Sequence, residues 1–208
     1  MTSAASPGKP YASGSMEPYK YEVFQQCFAA TEAWNRALGR LELVPTGGPE
    51  APMVAALQIV SDLQGFAVAV GILSDLFFPT PGKGDVARGK QLQQLYGVQK
   101  GASRLENAHV KVRHSLIHLD QEIDLWLQLK VGQYVGPLTI APWQGPAPTP
   151  AAATHARIID NENWRMLVLG EVMEFKPLLL EVGRIGQLYP LEFDTPAGVR
   201  RIAIAAPK

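Results

Sequence analysis

Arg113, His114 and His118 form the group in the sequence whose residue types and spacing point most clearly to chemistry. A guanidinium binds a phosphate through two parallel hydrogen bonds, and a neutral imidazole accepts a proton near pH 7. A metal-free phosphodiesterase needs both groups, because the imidazole takes the proton of an RNA 2′-hydroxyl while the guanidinium holds the phosphate. We therefore predict Arg113 and His118 as catalytic residues, with His114 orienting or assisting them.

These residues lie within a long amphipathic helix that we predict from residue 103 to about residue 130. Ser103 suits its N-cap, and Glu106 stands at the third position of a capping box. At 100° per residue, Arg113 and His118 lie about 140° apart on the side opposite an apolar seam. The seam residues alternate three and four positions apart. They are Leu105, Ala108, Val112, Leu116, Leu119, Ile123 and Trp126.

A single copy of this helix surrounds a phosphate poorly, because Arg113 and His118 point in different directions. Two copies that face each other across a two-fold axis can bring both pairs into one cleft. Ile117 lies at the centre of the outward face, and Gln121 lies one turn later. We therefore predict a homodimer with Ile117 and Gln121 in its interface.

Two other interpretations of this helix stay open. Arg113 can form an ordinary surface ion pair with Asp120 or Asp124, which would leave the face without a catalytic role. His114 and His118 have a spacing that zinc ligands use, but no Glu stands between them and no Cys is near. We therefore predict no metal and no cofactor.

The charge balance restricts how an RNA could be bound. The chain has 19 Lys and Arg against 19 Asp and Glu, so its formal net charge is zero. A polyanion is then not attracted by the molecule as a whole, and its contacts must come from a local group of basic residues. Lys111 and Arg104, just before the motif, are the predicted substrate-binding residues. The single Cys27 excludes an intrachain disulfide, and its apolar neighbours predict a buried, inert thiol.

Three helices precede the motif helix. Apolar spacing predicts them from Tyr19 to Leu43, from about Pro52 to Phe78 and from Asp85 to Tyr96. The second is apolar nearly all round, which predicts the most buried helix of the fold. Because Asp62 and Asp75 interrupt it, we interpret it as a core helix with no membrane partner. The N-terminal residues lack the apolar region of a secretory signal, so we expect a cytoplasmic protein.

Helical spacing disappears after Gly132. Residues 138–140 are predicted to form a short strand, and residues 156–169 a hairpin around a polar turn. A last helix is predicted from Lys176 to Gln187, although Gly183 and Gly186 weaken the pattern. The tail from Val199 to Ile204 is predicted either to add an edge strand or to fray.

The predicted fold is mainly α: a four-helix bundle with a small α+β C-terminal appendage. The bundle covers residues 18–131 and follows a flexible tail of residues 1–17, which is rich in Ser, Gly and Pro. The appendage covers residues 132–208, and we expect it to pack on the bundle.

The run from Arg113 to Asp124 resembles the signature helix of HEPN (higher eukaryotes and prokaryotes nucleotide-binding) domains. That motif consists of an Arg, a polar residue, a few variable positions and a His, and Arg113, His114 and His118 match it. The resemblance covers roughly residues 19–130 and implies a four-helix bundle. It also implies a metal-independent endoribonuclease whose two motifs meet at a homodimer interface.

The resemblance also implies which partners the protein would have. Proteins of this type serve as toxins, abortive-infection factors or other phage-defence components, which implies an RNA substrate and an antitoxin or another defence protein as partner. An inactive relic of such an enzyme would keep its fold. The alternative is a non-catalytic helical protein that uses the outer face of the 103–130 helix for dimerisation or partner binding. A nucleotide-binding module without turnover is a third hypothesis.

Overall fold

The structure is a computed structural model, and the fold is mainly helical with a small four-stranded sheet. It describes residues 16–43, 51–80, 86–108, 124, 126–130, 138–140, 145, 148–149, 152–153, 155–169, 171–195 and 198–204. In chain order the described elements are α1 (Glu17–Leu43), α2 (Ala51–Phe77), α3 (Val86–Tyr96), α4 (Leu105–Ala108), β1 (Thr139–Ile140), β2 (Arg157–Asp160), β3 (Arg165–Val168), β4 (Glu171–Glu174), α5 (Phe175–Leu188), β5 (Leu191–Thr195) and β6 (Gly198–Ile202).

α1 and α2 pack side by side in antiparallel directions. The nearly buried carboxylate of Asp62 accepts hydrogen bonds from Arg36 Nε at 2.9 Å and from Arg40 Nε at 2.7 Å. Further along α2, Gly65 lies against the Cβ of Ala33. Asp62 interrupts the apolar pattern of α2, but its negative charge is paired with two guanidinium groups from α1. Asp62 therefore joins the two helices instead of opposing their packing.

The main core contains a cluster of aromatic rings contributed by four parts of the chain. The Trp34 ring of α1 lies 4.6 Å from that of Trp164 and 6.2 Å from that of Phe66 on α2. Phe175, the first residue of α5, lies 5.5 Å from Phe66 with the rings nearly perpendicular. Edge-to-face pairs of this kind stabilise beyond the area they bury. One continuous core therefore joins the N-terminal helices to the C-terminal part of the chain.

The four-stranded sheet has the order β1-β2-β3-β4, in which β1 and β2 are parallel and the other pairs are antiparallel. Because side chains alternate across a strand, its two faces differ. Ile159, Met166 and Met173 are in register and face the main core. Ile158 and Leu167 form a smaller buried group on the opposite face. β5 and β6 form a separate antiparallel hairpin.

The helices are close to their predicted bounds. α1 begins at Glu17 instead of Tyr19, and the preceding Met16 is already buried. α2, α3 and α5 each start one residue from the predicted position. The predicted hairpin is confirmed as β2 and β3, and the predicted strand at residues 138–140 as β1. The predicted division at residues 17 and 131 stays a prediction.

Two features differ from the sequence prediction. β4 and β5 were not predicted, because each contains two acidic residues, a type depleted in strands, and forms only by pairing with its neighbour. Gly186 was expected to weaken the last helix, but a Cβ there would lie 3.0 Å from the Cβ of Cys27 and closer still to Ile204. The missing side chain is therefore what lets α5 approach α1.

α2 contains one stretch, Val54–Phe77, that is long and apolar enough to span a membrane by length and composition. Of its most apolar window, 56% is buried inside the protein. Ile59, Leu63, Phe66 and Leu73 are fully buried, as expected for the core helix of a soluble protein.

Candidate functional site

Most of the predicted site lies outside the described residues. This holds for Lys111, Arg113, His114, Ile117, His118 and Gln121. Arg104 is described, and it is exposed. The contacts of residues 101–106 and of residues 124–130 show how the two ends of the predicted motif helix are held.

The N-terminal end is held by a carboxylate from α5. Glu181 accepts a hydrogen bond from the Ser103 hydroxyl at 2.7 Å and another from the Arg104 backbone N–H at 2.7 Å. The Leu105 N–H donates to Ser103 Oγ at 3.1 Å, so the predicted cap is confirmed. The predicted capping box is wrong in its second contact, because Glu106 accepts from the backbone N–H of Gly101 and not from that of Ser103. A negative charge at a helix start is favourable.

Both described ends of the predicted apolar seam are buried. Leu105 is fully buried, and Trp126 is 4% exposed with Lys130 Nζ 5.5 Å from its ring centroid. In contrast, Asp124 and Leu127 are exposed. The segment that enters the motif and the segment that leaves it therefore both place a seam residue in the core.

A cleft of about 630 Å³ lies at the start of α5, where the sequence analysis predicted no site. Arg165 and Glu174 are opposite each other on β3 and β4, and Lys176 follows on α5. The cleft is lined by Gly145, Asn163, Arg165, Glu174, Lys176, Pro177 and Leu180.

Asp160 determines the position of Arg165 in this cleft. Its fully buried carboxylate accepts hydrogen bonds from Arg165 Nη2 at 2.6 Å and Nε at 3.0 Å, and from Asn163 Nδ2 at 2.9 Å. Burial alone would raise the pKa of Asp160, but the hydrogen bonds from Asn163 and Arg165 outweigh it and hold the pKa below its usual value. The sequence contained one indication of this pair: Asp160 and Arg165, which have opposite charges, stand on either side of the predicted turn.

The charges of the cleft do not favour a polyanion. Arg165 and Lys176 are balanced by Asp160 and Glu174, so these four groups carry no net charge. An RNA backbone needs an excess of positive charge where it binds. We therefore assign a structural role to the Asp160–Arg165 pair and no role in binding RNA.

Cys27 has no nucleophilic role. It is fully buried, and burial raises the pKa of its thiol far above the usual range, so the reactive thiolate does not form. This confirms the predicted buried thiol. In the part of the chain that the structure describes, no three His, Cys, Asp or Glu residues lie together as a metal site would require.

Comparison of the chain with family models, with characterised proteins and with solved structures gave no match.

Proposed function

We propose that the chain is a HEPN-like, metal-independent endoribonuclease that acts in phage defence or stress. The observation that supports this most is the burial of Leu105 and Trp126 on either side of the motif. These residues are 21 positions apart, so on one continuous helix they would lie within about 60° of each other. A helix held on the core at both ends would direct Arg113, His114 and His118 away from it.

The proposed reaction is attack by the RNA on its own backbone. His118 removes the proton of a 2′-hydroxyl, and the 2′-oxygen forms a bond to the adjacent phosphorus. The bond from phosphorus to the 5′-oxygen breaks, that oxygen takes up a proton from water, and His118 later returns its own proton to water. Arg113 stabilises the additional negative charge on the phosphate, and His114 orients the reacting groups. The products are a 2′,3′-cyclic phosphate and a 5′-hydroxyl.

The site is completed by a second copy of the chain. Ile117 and Gln121 form the proposed two-fold interface, which brings Arg113 of one copy towards His118 of the other. Arg104 is exposed beside the start of α4, where its side chain can contact the RNA backbone together with Lys111. An antitoxin or another defence protein is the proposed regulator.

The test is incubation of the purified protein with a mixed RNA pool in EDTA. The wild type should produce fragments with 5′-hydroxyl ends, and His118→Ala and Arg113→Ala should each reduce cleavage at least about a hundredfold, the usual contribution of a general acid or base. His155→Ala is the matched control, because His155 lies outside the motif and its replacement should leave cleavage unchanged.

Two results would contradict the proposal. Equal cleavage by wild type and His118→Ala would assign the activity to another residue or to a contaminant. No cleavage by a folded, dimeric wild type would instead favour a non-catalytic interaction protein. That second candidate is supported by Leu127 and Leu129, which are 43% and 54% exposed just beyond the motif, as a docking surface would require.

A further inference from the structure

α2 has an exposed face without charge. Its exposed residues with described side chains are all uncharged, and three of them are large and apolar: Val54 (51% exposed), Leu57 (58%) and Val68 (43%). The others are Gln58, Ser61 and Gly65. A helix face in contact with water is ordinarily rich in charged residues, whereas a helix that is apolar all round is ordinarily buried all round. The exposed side of α2 thus has the composition of a buried surface.

The residues along this face follow a symmetric order of size. Val54 and Leu57 come first, the small Ser61 and Gly65 occupy the middle, and Val68 and the half-buried Ile72 complete it. We name these six residues the α2 stripe. Reversing its direction leaves the same order of large, small and large residues. Such a surface is complementary to an antiparallel copy of itself, which is the requirement of a two-fold interface.

We infer that the α2 stripe is a homodimer interface in which α2 packs antiparallel against α2 of a second copy. Ser61 and Gly65 lie at the crossing point, where small residues let the two helix backbones approach closely. Val54 and Leu57 of one copy then contact Val68 and Ile72 of the other. No charged residue of the stripe has to lose its water, so burial of the apolar residues meets little opposition.

The size of the face fits this partner. From Val54 to Ile72 the stripe is about 27 Å long, at 1.5 Å per residue. α1 lies beside it at Ala33. Its exposed Gln25 and Ala29 are uncharged, and the charge of its exposed Arg36 is paired with Asp62. Two helices give a face about 20 Å wide and roughly 540 Å² in projection. Accessible area exceeds projected area, so the face approaches the roughly 800 Å² that each partner contributes to a standard interface.

Gly65→Gln is the most direct test, because it changes the dimer and leaves the monomer intact. A Cβ at Gly65 would meet only the Cβ of Ala33, at an ordinary contact distance of 3.8 Å. At the crossing point the longer side chain would hold the two helices apart. Gln94→Lys on α3 is the control, because Gln94 is exposed and lies outside both helices of the proposed interface.

The proposed Ile117 interface is also two-fold, so sedimentation velocity over a concentration series is carried out on Ile117→Asp, in which only the α2 stripe can hold two copies together. This protein should be a dimer. Adding Gly65→Gln should raise its dissociation constant at least about tenfold, and adding Gln94→Lys should leave it unchanged. A monomeric Ile117→Asp protein would overturn the inference, and so would a double variant with Gly65→Gln that dimerises as tightly as Ile117→Asp.

Cross-linking provides a second measurement. Ser61→Cys should yield a covalent dimer with a short bismaleimide, while Gln94→Cys on α3 should not, and the buried Cys27 should not react. This interface is separate from the one proposed for the ribonuclease at Ile117. If Ile117→Asp is monomeric and Gly65→Gln is a dimer, the inference fails while the proposed function stands. If Gly65→Gln is monomeric and Ile117→Asp is a dimer, the inference stands and the proposed interface at Ile117 is wrong.

Discussion

A single methyl group added at Gly186 tests the close approach of α5 to α1. A Cβ at this position would lie 3.0 Å from the Cβ of Cys27 and closer to Cδ1 of Ile204. Both neighbours are buried in the main core. The Cβ of Cys27 is attached directly to the α1 backbone, so it cannot rotate away. Gly39→Ala is the control, because a Cβ at Gly39 meets nothing within 4 Å.

Two opposing effects determine the expected free energies of unfolding. Replacing Gly by Ala within a helix stabilises by about 1 kcal/mol, and this gain applies to both variants. Adding a group to a filled core costs about 1–3 kcal/mol, and this cost applies only at Gly186. Gly39→Ala should therefore raise the free energy of unfolding by about 1 kcal/mol. Gly186→Ala should lower it by about 1 kcal/mol, so the variants should differ by about 2 kcal/mol.

Urea unfolding followed by circular dichroism measures this difference, provided that all proteins are compared at one concentration. The slope of free energy against urea should stay the same, and only the midpoint should move. If Gly186→Ala is as stable as Gly39→Ala, then α5 does not approach α1 closely and the packing described for Cys27 is wrong.

Three further perturbations test other contacts. Asp160→Ala should cost about 3 kcal/mol in urea unfolding, because the partly buried Arg165 loses its ion pair; a loss below about 1 kcal/mol would contradict the structural role of this pair. Since the folded pKa of Asp160 is lowered, its stabilisation is present above the unfolded pKa of about 3.9 and is lost as the pH falls through the folded pKa. Asp160→Asn should therefore reduce the loss of stability in acid, and an unchanged pH profile would refute this. Trp126→Ala should lower the free energy of unfolding, measured by thermal unfolding, by about 3–5 kcal/mol, whereas replacing an exposed Trp126 would leave it almost unchanged. A double-mutant cycle of Ser103→Ala and Glu181→Ala should give a coupling of about 1 kcal/mol, and additive effects would exclude their hydrogen bond.

The helices were predictable because their periodic apolar residues record which side is buried. α1, α3 and α5 begin within two residues of the predicted positions. The pattern also indicated correctly that much of α2 is buried, but not that one stripe of it is exposed, since composition does not specify what covers a face. β4 and β5 were missed although the predicted strands are no longer, because Glu and Asp, which are depleted in strands, make up two of the four residues of β4 and two of the five of β5. Pairing with a neighbouring strand overcomes that preference.

In the candidate site too, contacts between residues close in sequence were predictable and contacts between distant residues were not. Ser103 was predictable as a cap because its partner, the Leu105 N–H, is two residues away. The role of Glu181 at this helix start was not predictable, since Glu181 lies on α5, more than 70 residues after Ser103 and Arg104 in the chain. Local spacing similarly predicted the side of the helix that carries Arg113 and His118. It contains no information about the second copy that would complete their site.

The most direct test of the central proposal is the analysis of RNA ends after incubation with the protein in EDTA. The proposal predicts fragments with 5′-hydroxyl and 2′,3′-cyclic phosphate ends, lost in His118→Ala and retained in His155→Ala. Cleavage that persists in a folded His118→Ala protein, or no cleavage by a folded wild-type dimer, would contradict it.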